Sequence, residues 1–113
     1  MTRQQYIRAV LALYCGLPHT AARRPSQNDR RLAAELFERN ISWTCVQTAF
    51  YLAIGRRTYR DPQYPPLQPI RSLAYFLPVI DELLLDPPDP DYLLYLKATL
   101  DHLVQFPTDL EER

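Results

Sequence analysis

Apolar residues return at three- and four-residue steps along most of the chain, the spacing of one helix face, and nowhere alternate as a half-buried strand requires. The first stripe is Tyr6, Ile7, Val10, Leu11 and Tyr14. Thr2 and Gln5 precede it with capping-box spacing, and Gly16 and Pro18 follow it as a stop. The second stripe is Leu32, Ala33, Leu36 and Phe37, led in by Ser26 and Asp29, again a capping box with its acid at the positive end of the helix. Asn40 tolerates the left-handed backbone that closes a helix, and Ser42 can cap the next one. That third segment runs to about Arg57. Trp43, Val46, Ala49, Phe50, Tyr51, Leu52, Ala53 and Ile54 make it apolar nearly all round, the pattern of a helix that is buried or covers a partner.

The longest nearly continuous apolar stretch, Ile70 to Leu85, is the one onto which the others are expected to fold. Leu73, Phe76, Leu77, Ile80 and Leu84 carry its helical period. Pro78 interrupts it, either as a kink or as an early residue of a second helix after a break near Phe76 or Leu77. Asp89 and Pro90 are predicted to open a last helix with Leu93, Leu96, Leu100, Leu103 and Val104 inside, closed by Phe106-Pro107. The fold class expected is all-α, a compact bundle of about five helices with Pro-rich connections. Residues 1–107 form one domain in this reading, and residues 108–113 a charged tail that frays.

Eleven prolines against two glycines make the connections stiff rather than supple. No apolar run approaches the roughly 20 residues of a membrane span, and the polar start followed by an amphipathic pattern is not that of a secretion signal. Two cysteines, Cys15 and Cys45, in a chain with ample apolar residues point to a reduced, cytoplasmic protein with no membrane partner.

Charge changes the picture more. The formal net charge is zero, yet residues 1–80 hold eleven arginines against four acids, and residues 81–113 nine acids against Lys97 and Arg113. Such a chain either binds polyanions through one surface or neutralises itself within the fold. Arg23-Arg24, Arg30-Arg31 and Arg56-Arg57 with Arg60 form three groups suited to bidentate phosphate contacts, and Tyr59 and Tyr64 stand near as rings on which bases stack. Arg56 and Arg57 also suit the negative end of the third helix. The helices over 27–39 and 43–57, separated by three residues, have the spacing of a helix-turn-helix. In that arrangement Gln47 would read adenine and Thr44 or Thr48 would reach phosphate.

Cys15, His19, Cys45 and His102 add up to four zinc ligands, but only Cys15 and His19 are close in sequence, so the expectation is no metal. Two glycines exclude a glycine-rich phosphate loop, and no nucleophile–base motif is present. Asp81 and Glu82 are adjacent and face different sides of a helix. The expectation is a protein that is not an enzyme and carries no cofactor.

The run Leu32-Ala33-Ala34-Glu35-Leu36-Phe37-Glu38-Arg39-Asn40-Ile41-Ser42, the apolar helix with Ala49, and then Ser72-Leu73-Ala74-Tyr75-Phe76-Leu77-Pro78-Val79-Ile80 carry a family likeness. In this order they resemble the C-terminal helical modules of bacterial and plasmid replication-initiation proteins, the DnaD-like primosomal group among them. The stretch Pro65 to Leu73 is similar to a motif of small mobile-element proteins. The resemblance implies accessory nucleic-acid work, on DNA or RNA, in a replication or mobile-element system. The tyrosine-rich surface and apolar third helix support a second expectation, a protein-interaction module or self-associating helical subunit of a nucleoprotein complex such as a CRISPR effector or transposition assembly.

Overall fold

Side-chain caps decide where the first three helices start. In the computed structural model, which describes residues 1–21 and 24–101, α1 spans Arg3–Gly16, α2 Gln27–Glu38 and α3 Trp43–Thr58. The Thr2 hydroxyl accepts the Gln5 N–H at 3.1 Å while the Gln5 side chain accepts the Thr2 N–H at 2.9 Å. Ser26 and Asp29 exchange the same pair of bonds at 3.0 Å each, and the Ser42 hydroxyl accepts the Cys45 N–H. Both expected capping boxes are therefore present, and each satisfies two backbone N–H groups that a helix start leaves open. Asn40 takes a φ of 61° and turns α2 into α3.

α1 and α2 lie antiparallel. At one end the Tyr6 ring meets Phe37 edge-on and its hydroxyl donates to the Ile41 carbonyl at 2.6 Å. At the other end Tyr14 and Cys15 sit beside Asp29. α3 is the central helix, packed chiefly on α5 (Tyr92–Leu100) and α4 (Leu77–Leu85) and also on α1. Val46, Ala49, Phe50, Tyr51, Ala53 and Ile54 are all buried, as the apolar girth of α3 predicts. Phe76 joins the layers, 4.4 Å from the Phe50 ring and 6.1 Å from Tyr14 between centroids. The bundle is all-α, and among the described residues the one β-type pairing is an isolated bridge between Thr20 and Ile70.

The segment from Ile70 to Leu85 is two elements. A 3-10 turn spans Leu73–Phe76, and α4 follows with Pro78 in its first turn, where the missing N–H has no helical partner to lose. Leu84, expected in the core, is exposed, and Leu83 is buried in its place. Ile80 stays fully buried; Leu83 and Leu84 follow it at three and four residues, both helical steps onto the same face, and burial takes the three-residue step. The start of α5 also differs from expectation. Asp89 does not cap it; the Tyr92 N–H donates to the Asp89 carbonyl, so Asp89 to Tyr92 is a tight turn with Pro90 at its favoured second position. α5 begins at Tyr92, and Asp91 precedes it without a side-chain cap bond. The remainder of that predicted helix (Leu103, Val104, Phe106 and Pro107) and the tail at 108–113 lie outside the described residues.

Where α3 meets α5 the helices approach closely. A Cβ on Gly55 would stand 3.2 Å from Leu100 Cδ1, and one turn earlier Tyr51 donates its hydroxyl to Asp101 at 2.8 Å. No helix among the described residues is long and apolar enough to cross a membrane.

Candidate nucleic-acid interface

α3 is covered along most of its length by α1, α4 and α5. Thr44 is exposed and Gln47 half-buried, but Thr48 is buried and turns its hydroxyl back to the Thr44 carbonyl at 2.7 Å. A DNA groove would therefore meet only the first turn of α3, and Thr48 is spent inside the helix.

The arginines divide sharply. Arg56 grips Glu82 with two bonds of 3.0 and 2.6 Å, and this pairing draws the Glu82 carboxyl below its usual range. Arg31 is held by Glu35 and Asn28, Arg3 by Glu38, and Arg39 by Asp81. Arg57 is 9% exposed. It donates to the Gln68 carbonyl at 2.7 Å and to the Tyr75 hydroxyl at 3.3 Å, with its guanidinium 5.4 Å from the Tyr75 ring centre. Sequence spacing made Arg57 a contact residue, but the fold uses it to anchor the Pro-rich connection between Asp61 and Pro69. Arg60 donates to the Pro65 carbonyl and stacks 5.2 Å from the Tyr64 ring centre, leaving most of its five N–H groups unspent. Arg8, Arg24, Arg30 and Arg71 are exposed, and their side chains make no hydrogen bond or ion pair among the described residues. Arg23 lies outside those residues.

Three of these arginines are gathered by one buried carboxylate. Asp29, 1% exposed, accepts the Ser26 N–H through one oxygen and, through the other, the Leu73 N–H at 2.9 Å. Beside it the His19 carbonyl accepts the Ile70 N–H and the Ile70 carbonyl accepts the Ala21 N–H. Arg24, Arg30 and Arg71 all belong to segments tied by these bonds. Both Asp29 oxygens are spent on backbone N–H groups, so the carboxylate makes no direct bond to the three guanidinium groups, which stay exposed.

The same end of the bundle holds a cavity of about 280 Å³ lined by His19, Arg57, Arg60, Asp61, Pro62, Tyr64 and Leu67. The Asp61 carboxylate is turned to the Gln63 N–H at 2.9 Å. His19 is held at a φ of 70°, with its ring 3.3 Å from the Thr58 hydroxyl. Burial and the charge of Arg57 push its pKa below the ordinary 6.5, so the ring is neutral near pH 7. Cation, stacked ring and histidine in one concavity suit a phosphate with an adjoining planar base. Arg30 and Arg31 continue the basic surface into an open furrow against Arg3 and Ile7 of α1.

Sequence reading missed two members of this site. His19 was weighed only as a zinc ligand, and Arg71 stands alone in sequence; both come in through the Thr20–Ile70 bridge, a long-range pairing with no local signal. Of the four zinc-ligand candidates, His102 lies outside the described residues; Cys45 sits at the start of α3, at the opposite end from His19, and no group of three metal-ligating side chains forms among the described residues. Both thiols are half-buried and free, and burial raises their pKa values.

A second concavity lies at the opposite end, beside the start of α3. It measures about 290 Å³ and is walled by Thr44, Cys45, Thr48, Leu83, Leu84 and Leu93, with residues 87–90 along its rim. Comparison of the chain with family models, curated proteins and solved structures finds no match.

Proposed function

We propose that the chain is a non-enzymatic accessory protein that holds single-stranded nucleic acid at its basic end. The observation that carries this reading is that Arg24, Arg30 and Arg71, exposed and without an ion-pair partner among the described residues, lie on segments tied together at Asp29 and at the Thr20–Ile70 bridge, next to the cavity in which Arg60, Tyr64 and His19 converge. A strand would run its phosphates along the arginines and lay an unstacked base against Tyr64. Single strands are favoured over duplex because the cavity accepts one base-sized group, whereas α3 has only its first turn to offer a groove. The likeness to replication-initiation modules supports work within a replication or mobile-element complex.

Fluorescence anisotropy with labelled single-stranded DNA, duplex DNA and RNA across a salt series tests this. Single strands should bind more tightly than duplex. Replacing Arg24, Arg30 and Arg71 with alanine should flatten the log–log salt slope by about 2, since each lost single-strand phosphate contact removes roughly 0.7. Absence of binding at low salt, a preference for duplex, or an unchanged slope in that variant would each refute the reading. The expectation of a helical subunit within a nucleoprotein assembly keeps a separate support, the apolar residues exposed on α4 and α5.

A further inference from the structure

α4 and α5 turn leucines outward as well as inward. Leu85 is 87% exposed and Leu94 66%, and Leu84 and Tyr95 are also exposed, a grouping that folding of the described residues leaves uncovered. Leu84 lines the 290 Å³ groove, and Leu85 and Leu94 are chain neighbours of its lining residues Leu84 and Leu93; Leu83 and the first two turns of α3 complete its walls. Asp89 lines it, and Asp86 and Asp91 adjoin lining residues in the chain, next to Pro87 and Pro90; all three are exposed and without an ion-pair partner among the described residues. Exposed apolar patches beside polar rims mark interaction sites, and an apolar groove between helices is a surface on which an amphipathic helix lays its apolar face.

Charge selects the occupant. A second copy docked through the same face about a two-fold axis would bring Asp86, Asp89 and Asp91 against their own equivalents. The chain's own residues 102–113 carry Asp109, Glu111 and Glu112 against Arg113 and so add acid to an acidic rim. We infer that this groove docks an amphipathic helix of a partner protein, with leucine-sized anchors on one face and lysine or arginine on its flanks. The anchors would enter between Leu84 and Leu93, and the flanking cations would meet the three aspartates. The surface is separate from the basic end, so partner and nucleic acid can be held at once.

The full chain is titrated into a fluorescein-labelled helical peptide of about five turns with leucine on one face and lysine on the other. A scrambled peptide of the same composition and a leucine–glutamate peptide of the same pattern serve as controls. Binding of the leucine–lysine helix alone is the expected result. Leu84→Asp with Leu94→Asp should weaken it about tenfold or more, as loss of central anchors does. Asp86→Asn, Asp89→Asn and Asp91→Asn together should weaken it about threefold and flatten its salt dependence. This second variant keeps the test valid should the first fail to fold, which circular dichroism checks. Equal binding of the scrambled peptide, or insensitivity to both variants, overturns the proposal. So does concentration-dependent self-association lost in the leucine variant, which makes a second copy the occupant. Peptide binding that appears only after truncation at Asp101 makes the chain's own terminus the occupant and overturns it too.

Discussion

At the scale of single residues, Asp29 does the most to hold the site together. Its capping role was readable from the sequence because a capping box is local, a hydroxyl and a carboxylate three residues apart in front of an apolar stripe. Its second role was not, because the Leu73 N–H arrives from 44 residues away and nothing in a local pattern announces it. Asp29→Ala leaves the buried Leu73 N–H and the part-buried Ser26 N–H without their acceptor, and an unsatisfied buried donor costs about 1–3 kcal/mol. Urea denaturation should show a loss of about 3 kcal/mol, together with weakened oligonucleotide binding as Arg24, Arg30 and Arg71 lose their common tether. A loss no larger than that of a simple exposed cap, about 1 kcal/mol, would mean that the bond to Leu73 contributes nothing. Arginine assignments made from sequence fared unevenly for the same reason. Adjacent arginines such as Arg56 and Arg57 look alike on paper, but they point to different helix faces, one toward Glu82 and the other into the protein.

At the scale of elements, the helices were readable where propensity, caps and period agree, as they do in α1, α2 and α3. Agreement fails at the two proline-rich joints. Pro78 allowed either a kink or a break, and only packing of Leu73 and Phe76 under α3 selects the 3-10 turn. Pro90 was read as a helix opener because it follows an aspartate, yet the same dipeptide suits a tight turn equally well. The Pro-rich connection from Asp61 to Pro69 has exposed residues throughout and no helical hydrogen bonds of its own, so its placement depends on the anchors that reach it. Arg57 is the principal one. Arg57→Ala should speed amide exchange and proteolysis of this connection well before the core helices respond, and should lower stability by about 2 kcal/mol, as loss of charge-assisted bonds does. Exchange rates in this connection equal to those of the unaltered protein would show that Arg60 and the Thr20–Ile70 bridge suffice to hold it.

At the scale of the whole molecule, the sequence allowed two outcomes for its charge asymmetry, internal neutralisation or an exposed basic surface, and the fold contains some of each. α4 brings Asp81 to Arg39 and Glu82 to Arg56, so part of the acidic half does neutralise the basic half. Asp86, Asp89 and Asp91 follow the far end of α4 from the segment that carries Arg71, and the nine residues of α4 rise about 14 Å. This distance exceeds the Debye length of about 8 Å at physiological salt, so the distal acids are screened from a strand bound at the basic end. Glu82 is not, because it holds Arg56 directly on the last turns of α3. Glu82→Gln should therefore raise single-strand affinity about two- to threefold and steepen the salt slope by roughly 0.7, the contribution of one added phosphate contact. Asp86→Asn, Asp89→Asn and Asp91→Asn together remove three times as much charge and should leave that affinity nearly unchanged. Parallel salt titrations of the two variants decide between a local basic site and a diffuse response to net charge. If the triple variant gains more than Glu82→Gln, affinity follows net charge alone, and the arginine cluster around Asp29 loses its claim to be the site.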